Sequence, residues 1–283
     1  MKMYLKKIIY VFIVLLTMQL NAQEHSTDIS KDTTSIGQLF LKDGKNAALG
    51  VKHSFLRPLS WNKKDFTTLG AVVAGSLALA TVDDETSDYF VRQKPPKLFQ
   101  EVGTRFGSPQ VYFIANAGLY GYGLFTKNEK LRKTSVLIIS SSFTSGVIQS
   151  LGKTVFGRAR PNSGLKSNEF RLWSNEAELH SFPSGHTVLS VTMAHSIAKQ
   201  FNNTWSKVGV YTLGAVAPIS RLFVGAHWLT DVVLGTALSI AVVDSVDKFL
   251  FNSNEYKYDN VKKKNIAWNI SFTGNQIGII GTF

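Results

Sequence analysis

The chain contains no cysteine, so disulfides, thiolate metal sites and cysteine nucleophiles are excluded from its chemistry in any compartment. It has no internal repeat and no low-complexity tract. Asn-Gly hairpin punctuation is missing between its apolar stretches, and no cluster of carboxylates of the two-metal kind can be picked out. Acidic side chains are also scarce: 19 Asp and Glu stand against 31 Lys and Arg, a formal charge of +12. Such an excess suits an anionic partner, whether nucleic acid, an anionic membrane surface or a phosphorylated substrate, and by itself does not choose among them. With 44% hydrophobic and only 18% charged residues, the composition excludes a disordered acidic or basic tail protein.

What is present reads in four parts. Residues 1–22, MKMYLKKIIYVFIVLLTMQLNA, place Lys2, Lys6 and Lys7 before an apolar stretch from Ile8 to Leu16 and end on Ala22, the pattern of a secretory signal peptide. Residues 23–60 are polar and aperiodic at first and read as an N-terminal arm, mobile or loosely packed. Six apolar stretches follow, near 67–82, 110–125, 134–151, 186–201, 208–224 and 232–250. Their lengths favour helices over strands, with turn signals such as RQKPPK and FGSPQ between them. The expectation is an all-α fold, a six-helix core bundle within a domain at 61–252. In the tail, 253–283, apolar and polar residues partly alternate around TGNQ, which reads as a short β-hairpin. One hairpin cannot close a barrel, so the tail is expected to pack on the body.

Three clusters carry chemistry. In GKTVFGRARPN, Lys153 and Arg160 lie seven residues apart, near two helical turns, so both cations can face one pocket, and Pro161 ends any helix. In SFPSGHTVLS, Pro183 and Ser184 precede an apolar helix whose first-turn N–H groups form an anion site. Gly185 lets an oxygen approach the main chain, Ser184 adds a hydroxyl, and His186 brings a proton that titrates near neutrality. In ISRLFVGAHWLTDVVLG, Arg221 precedes His227 by six residues, and Asp231 follows it by four. On a helix those last two share a face, so Asp231 can take the Nδ1 proton of His227 and leave Nε2 as a nucleophile. His180 falls in a loop, and His195, nine residues past His186, reads as a core or surface residue. Together the clusters supply three fixed cations, backbone donors, an oriented histidine and a second, acidic one, the parts phosphoryl transfer requires.

The three motifs, Lys-x6-Arg-Pro, Pro-Ser-Gly-His and Ser-Arg-x5-His-x3-Asp, resemble the signature of the phosphatidic acid phosphatase type 2 superfamily, which includes bacterial acid phosphatases and vanadium haloperoxidases. The resemblance implies an all-α core and hydrolysis of phosphomonoesters or pyrophosphates through a phosphohistidine, with no metal or other cofactor. His227 would attack phosphorus, Asp231 would orient it, and His186 would protonate the leaving oxygen. Lys153, Arg160, Ser184, Gly185 and Arg221 would hold the phosphate. The implied partner is a phosphorylated lipid or small phosphate, with a membrane surface as a second one and no nucleic acid. Two alternatives stay open: a vanadate-dependent haloperoxidase, and a non-catalytic exported phospholipid-binding or structural protein.

Location follows less directly. Integral members of this family have six spans and an extracytoplasmic site, yet a cleaved leader before the first stretch would put the Lys153 and Pro183 loops on the cytoplasmic face. Polar groups such as SSSFTS at 140–145, and Asp244 and Asp247 in the last stretch, favour a soluble or surface-bound bundle of the periplasm or cell envelope over an integral one.

Overall fold

The computed structural model describes residues 34–93, 95–252, 267–273 and 276–282. The leader assigned to 1–22 lies outside them. The described residues contain nine α-helices: α1 Ile36–Leu56, α2 Lys63–Ala80, α3 Asp83–Arg92, α4 Lys97–Phe106, α5 Pro109–Phe125, α6 Glu129–Phe156, α7 Gly185–Ala198, α8 Thr204–Phe223 and α9 Leu229–Asn252. All six apolar stretches fall in helices, and the fold is all-α. Three further helices, α1, α3 and α4, had no counterpart among those stretches.

Each of the three has a local cause. Ser35 and Gln38 form a reciprocal capping box that starts α1, so the segment read as an arm is instead a helix of 21 residues packed on α6 and α9. Its anchor is internal: Asp43 accepts from Arg132 Nη1 at 3.2 Å and from the Tyr120 hydroxyl at 3.1 Å, with both charges buried. Helix α3 begins Asp83-Asp84-Glu85 and ends on Arg92, the charge order that suits the helix dipole. Helix α4 is short and amphipathic.

Helices α6, α7 and α9 pack on one another. Helix α8 lies on α7, α5 on α6, and α4 on α8. Val136, Leu137, Val242, Val243, Val246 and Leu250 form an apolar core between the first half of α6 and the second half of α9. The opposite ends of these helices, the last turn of α6 and the start of α9, carry the residues singled out above, together with the first turn of α7 and the last of α8.

Outside that core, hydroxyls are buried in α6 while large apolar side chains are exposed. Ser140, Ser141, Ser142, Thr144 and Ser145 are buried, whereas Phe143 among them is 57% exposed. Helix α2 buries no residue and exposes Phe66, Leu69, Val73 and Leu77. Helices α6 and α9 are long and apolar enough to cross a membrane, and α2 with α3, bent by 61°, would make a third span. The hydroxyls that read as an argument against membrane contact therefore face neighbouring helices, where small residues allow close approach.

Helix α6 stops at Gly157, whose φ of +54° is left-handed. A Cβ there would lie 1.7 Å from the Arg171 carbonyl oxygen. Gly157→Ala is expected to lower stability by at least about 2 kcal/mol, read as a fall in thermal midpoint with loss of activity in proportion to unfolding. Separately, the C-terminal segment carries the strands β1 Ala267–Thr273 and β2 Gln276–Thr282, antiparallel with Ala267 opposite Thr282.

Candidate active site

The site grows from four helix ends. Lys153 stands in the last turn of α6. Arg160, in the following loop, donates to three carbonyl oxygens: Ala177 from Nε at 3.0 Å, Ala226 from Nη1 at 3.1 Å and His180 from Nη2 at 2.9 Å. A guanidinium has five N–H donors, so Arg160 both ties the surrounding loops together and keeps donors for an anion.

Helix α7 begins behind Ser184, and no side chain caps its first turn, which leaves the early amides for an external acceptor. Ser184 is buried; its N–H donates to the Asp231 carbonyl at 3.2 Å, and its hydroxyl accepts from Thr187 at 3.0 Å. Gly185 is held close to Gln149, and a Cβ at Gly185 would approach the Gln149 amide nitrogen to 3.2 Å.

His186 meets α4. Its Nε2 lies 3.2 Å from the Thr104 carbonyl oxygen, an acceptor only, so Nε2 carries the proton of the neutral ring and Nδ1 is the second, titrating position. Burial lowers the His186 pKa to about 4, and the neighbouring Arg221, His227 and Lys153 push the same way, against the Thr104 bond. The anion-free ring is neutral at pH 7, and a bound anion that offsets those charges raises its affinity for a proton. Arg221, in the last turn of α8, bonds the Thr104 hydroxyl through Nη2. Thr104 thus touches both the histidine and the arginine. Glycines flank it because nothing larger fits: a Cβ on Gly107 would lie 2.7 Å from the His186 ring, and one on Gly103 2.3 Å from Ser220.

His227 and Asp231 come together differently from the helix-face expectation. Helix α9 starts at Leu229, so His227 lies in the turn before it. Asp231, in the first helical turn, reaches back to accept the Trp228 N–H at 2.9 Å, as an acidic residue does in a capping box. The His227 Nδ1 lies 3.7 Å from Asp231 Oδ2 and has no hydrogen-bond partner. At that distance Asp231 acts on the ring as a charge. Burial holds His227 below the usual histidine range, with Arg160 and Lys153 adding to the effect and Asp231 opposing it. A neutral imidazole results, the form a nucleophile requires.

Of the eight predicted residues, Lys153, Arg160, Arg221, His186, His227 and Asp231 lie close enough to act on one another's charges, while Ser184 joins them through its bond to Asp231 and Gly185 follows it at the start of α7. Sequence reasoning missed Thr104, Ser181, Arg158 and Asp83. Ser181 donates to Asp231 Oδ2 at 2.5 Å, and Arg158, itself paired with Asp83, donates to Oδ1. Beside the Arg221 turn, Tyr89, Phe90, Gln93, Pro95 and Phe223 line an open, largely apolar cavity of about 330 Å³. Among the described residues no group of three or more His, Asp or Glu side chains is arranged to hold a metal ion.

The PAP2 superfamily model matches residues 134–254, the stretch that holds all of the singled-out residues. The chain is 28% identical over 137 residues to the lipid A 1-phosphatase of Porphyromonas gingivalis, covering 48% of this chain but only 28% of that longer protein. It is 29% identical over 195 residues to the lipid A 1-phosphatase of Rhizobium johnstonii, covering 64% of this chain and 77% of the relative. A crystal structure of Aquifex aeolicus LpxE superposes on 59% of this chain and 95% of its own, with a TM-score of 0.47 at 22% identity.

Proposed function

On the match of residues 134–254 to the PAP2 superfamily, we propose that the chain is a membrane phosphatase that removes phosphate from a phosphorylated lipid through a phosphohistidine on His227. One observation carries this reading: a buried, neutral His227 stands beside Asp231 among three cations and the uncapped first turn of α7. Lys153, Arg160 and Arg221, with the amides behind Ser184 and Gly185, hold the equatorial oxygens and offset their charge. Nε2 of His227 attacks phosphorus, and the P–O bond to the lipid breaks. The leaving oxygen takes a proton from His186 Nδ1. Water, deprotonated by the now neutral His186, then cleaves the phosphohistidine and releases phosphate.

The large apolar side chains that α2, α5 and α6 expose support a bilayer setting. The apolar cavity beside Arg221 suits an acyl chain, and the relatives' names make a lipid A type of phosphate the first candidate. A phosphate-release screen of detergent-purified protein over lipid A 1-phosphate, phosphatidic acid, phosphatidylglycerol phosphate, undecaprenyl pyrophosphate and p-nitrophenyl phosphate tests the reading. Turnover of at least one lipid phosphate well above p-nitrophenyl phosphate is expected. Absence of release from all of them, or halide oxidation by peroxide that appears only with added vanadate while no phosphate is released, contradicts it.

A further inference from the structure

Two residues before the phosphate-facing Arg160, a second arginine does something different. Arg158 is buried, its guanidinium carbon 5.6 and 5.7 Å from the ring centroids of Phe170 and Trp228. Its Nη1 donates to Asp231 Oδ1 and to Thr230 Oγ1, both at 2.7 Å, its Nε to the Ser167 carbonyl at 2.9 Å, and its Nη2 to Asp83 Oδ2 at 2.8 Å. With four of five N–H donors committed to these groups, it is no phosphate ligand. Asp83, the first residue of α3, is fully buried and also accepts from the Thr230 N–H at 3.0 Å and from the Thr230 hydroxyl. The result is a closed row of charges, Asp83, Arg158, Asp231, ending 3.7 Å from His227.

Removing charges from water is expensive, so such a row is weak evidence for a gain in stability. Its geometry fixes two things about Asp231. The bond from Arg158 engages Oδ1, which leaves Oδ2 turned toward the Trp228 amide, Ser181 and His227. Arg158 also neutralises part of the carboxylate charge that His227 feels, while Asp83 neutralises part of Arg158.

We propose that Arg158 and Asp83 are positioning residues that set, through Asp231, the basicity and orientation of His227. The proposal rests on the phosphatase reading for its kinetic consequence and not for its electrostatic one. The other charged and titratable groups acting on His227 are Lys153 from α6, Arg160 from the following loop and His186 from α7, the last itself under the field of Arg221 from α8. None of these is altered in the test.

The test uses two variants that cut the same row with opposite electrical effect. Asp83→Asn keeps the shape and leaves Arg158 unopposed, so Asp231 is felt less and the His227 pKa falls. Arg158→Gln removes the cation, so Asp231 is felt more and the His227 pKa rises. Each shift is expected to be at least about 0.5 unit. The readouts are ¹⁵N-histidine NMR titration of full-length protein in detergent, and the acidic limb of kcat/KM against pH, which moves down for Asp83→Asn and up for Arg158→Gln. At fixed pH, kcat is expected to change more than KM. A purely structural row predicts lost thermal stability with limbs unmoved or moved together, and that result overturns the proposal. Should Arg158→Gln not fold, Asp83→Asn decides by direction: a fall supports, no shift or a rise refutes. Failure of the phosphatase reading shows as wild-type protein without turnover, and the NMR titration still tests the row.

Discussion

His227→Ala is expected to lose turnover by at least about 10⁴-fold and to form no phosphoenzyme, with thermal stability near wild type. The ring is buried but makes no hydrogen bond through Nδ1, so its removal leaves no partner stranded. The size of the loss follows from the geometry of the rest. Three cations and the α7 amides still gather the phosphate, so KM changes little, yet no nucleophile stands in the place of the ring. Kinetics on the lipid substrate, with bound phosphate or vanadate measured separately by titration, separate the two effects. Retained binding with lost turnover is the expected pattern; turnover within tenfold of wild type would remove His227 from the chemistry.

The second large effect belongs to His186 and depends on the leaving group. A lipid alkoxide or a sugar oxygen leaves poorly and needs a proton, whereas p-nitrophenolate does not. His186→Ala is expected to cost about 10²- to 10⁴-fold on the lipid phosphate and markedly less on p-nitrophenyl phosphate. The ring sits at about pKa 4 without an anion, chiefly because it is buried and then because Arg221, His227 and Lys153 face it. Its folded pKa is depressed, so the protonated form is disfavoured in the empty site at pH 7, and the negative charge of the substrate is what restores it. The nitrogen that then gains a proton is Nδ1, since Nε2 already donates to Thr104. Equal losses on both substrates would undo the assignment of His186 as the acid.

The three motifs were legible in the chain because each couples a cation or histidine to a helix end, where proline, serine and glycine mark the boundary. The pairing of His227 with Asp231 was legible too, but for the wrong reason: four residues place them together across the turn entering α9. What escaped notice lies far away in sequence. Asp83 and Thr104 sit on short helices with no long apolar stretch, and Arg158 is hidden among motif residues whose chemistry it does not share. Hydroxyls at 140–145 were counted in favour of a soluble or surface-bound bundle. The structure turns them inward and Phe143 outward, a distribution that hydropathy summed along a segment cannot reveal. Helix α1 was invisible for a related reason: its buried face is Leu39, Asp43, Asn46 and Gly50, two polar residues and a glycine among four.

The most direct measurement is a rapid quench at alkaline pH of the wild-type protein turning over a ³²P-labelled lipid phosphate, followed by peptide mapping. Label that is acid-labile, alkali-stable and confined to the peptide holding His227 is the predicted result. Phosphate released at full rate with no protein-bound label, or with label on His186 or elsewhere, would contradict the account.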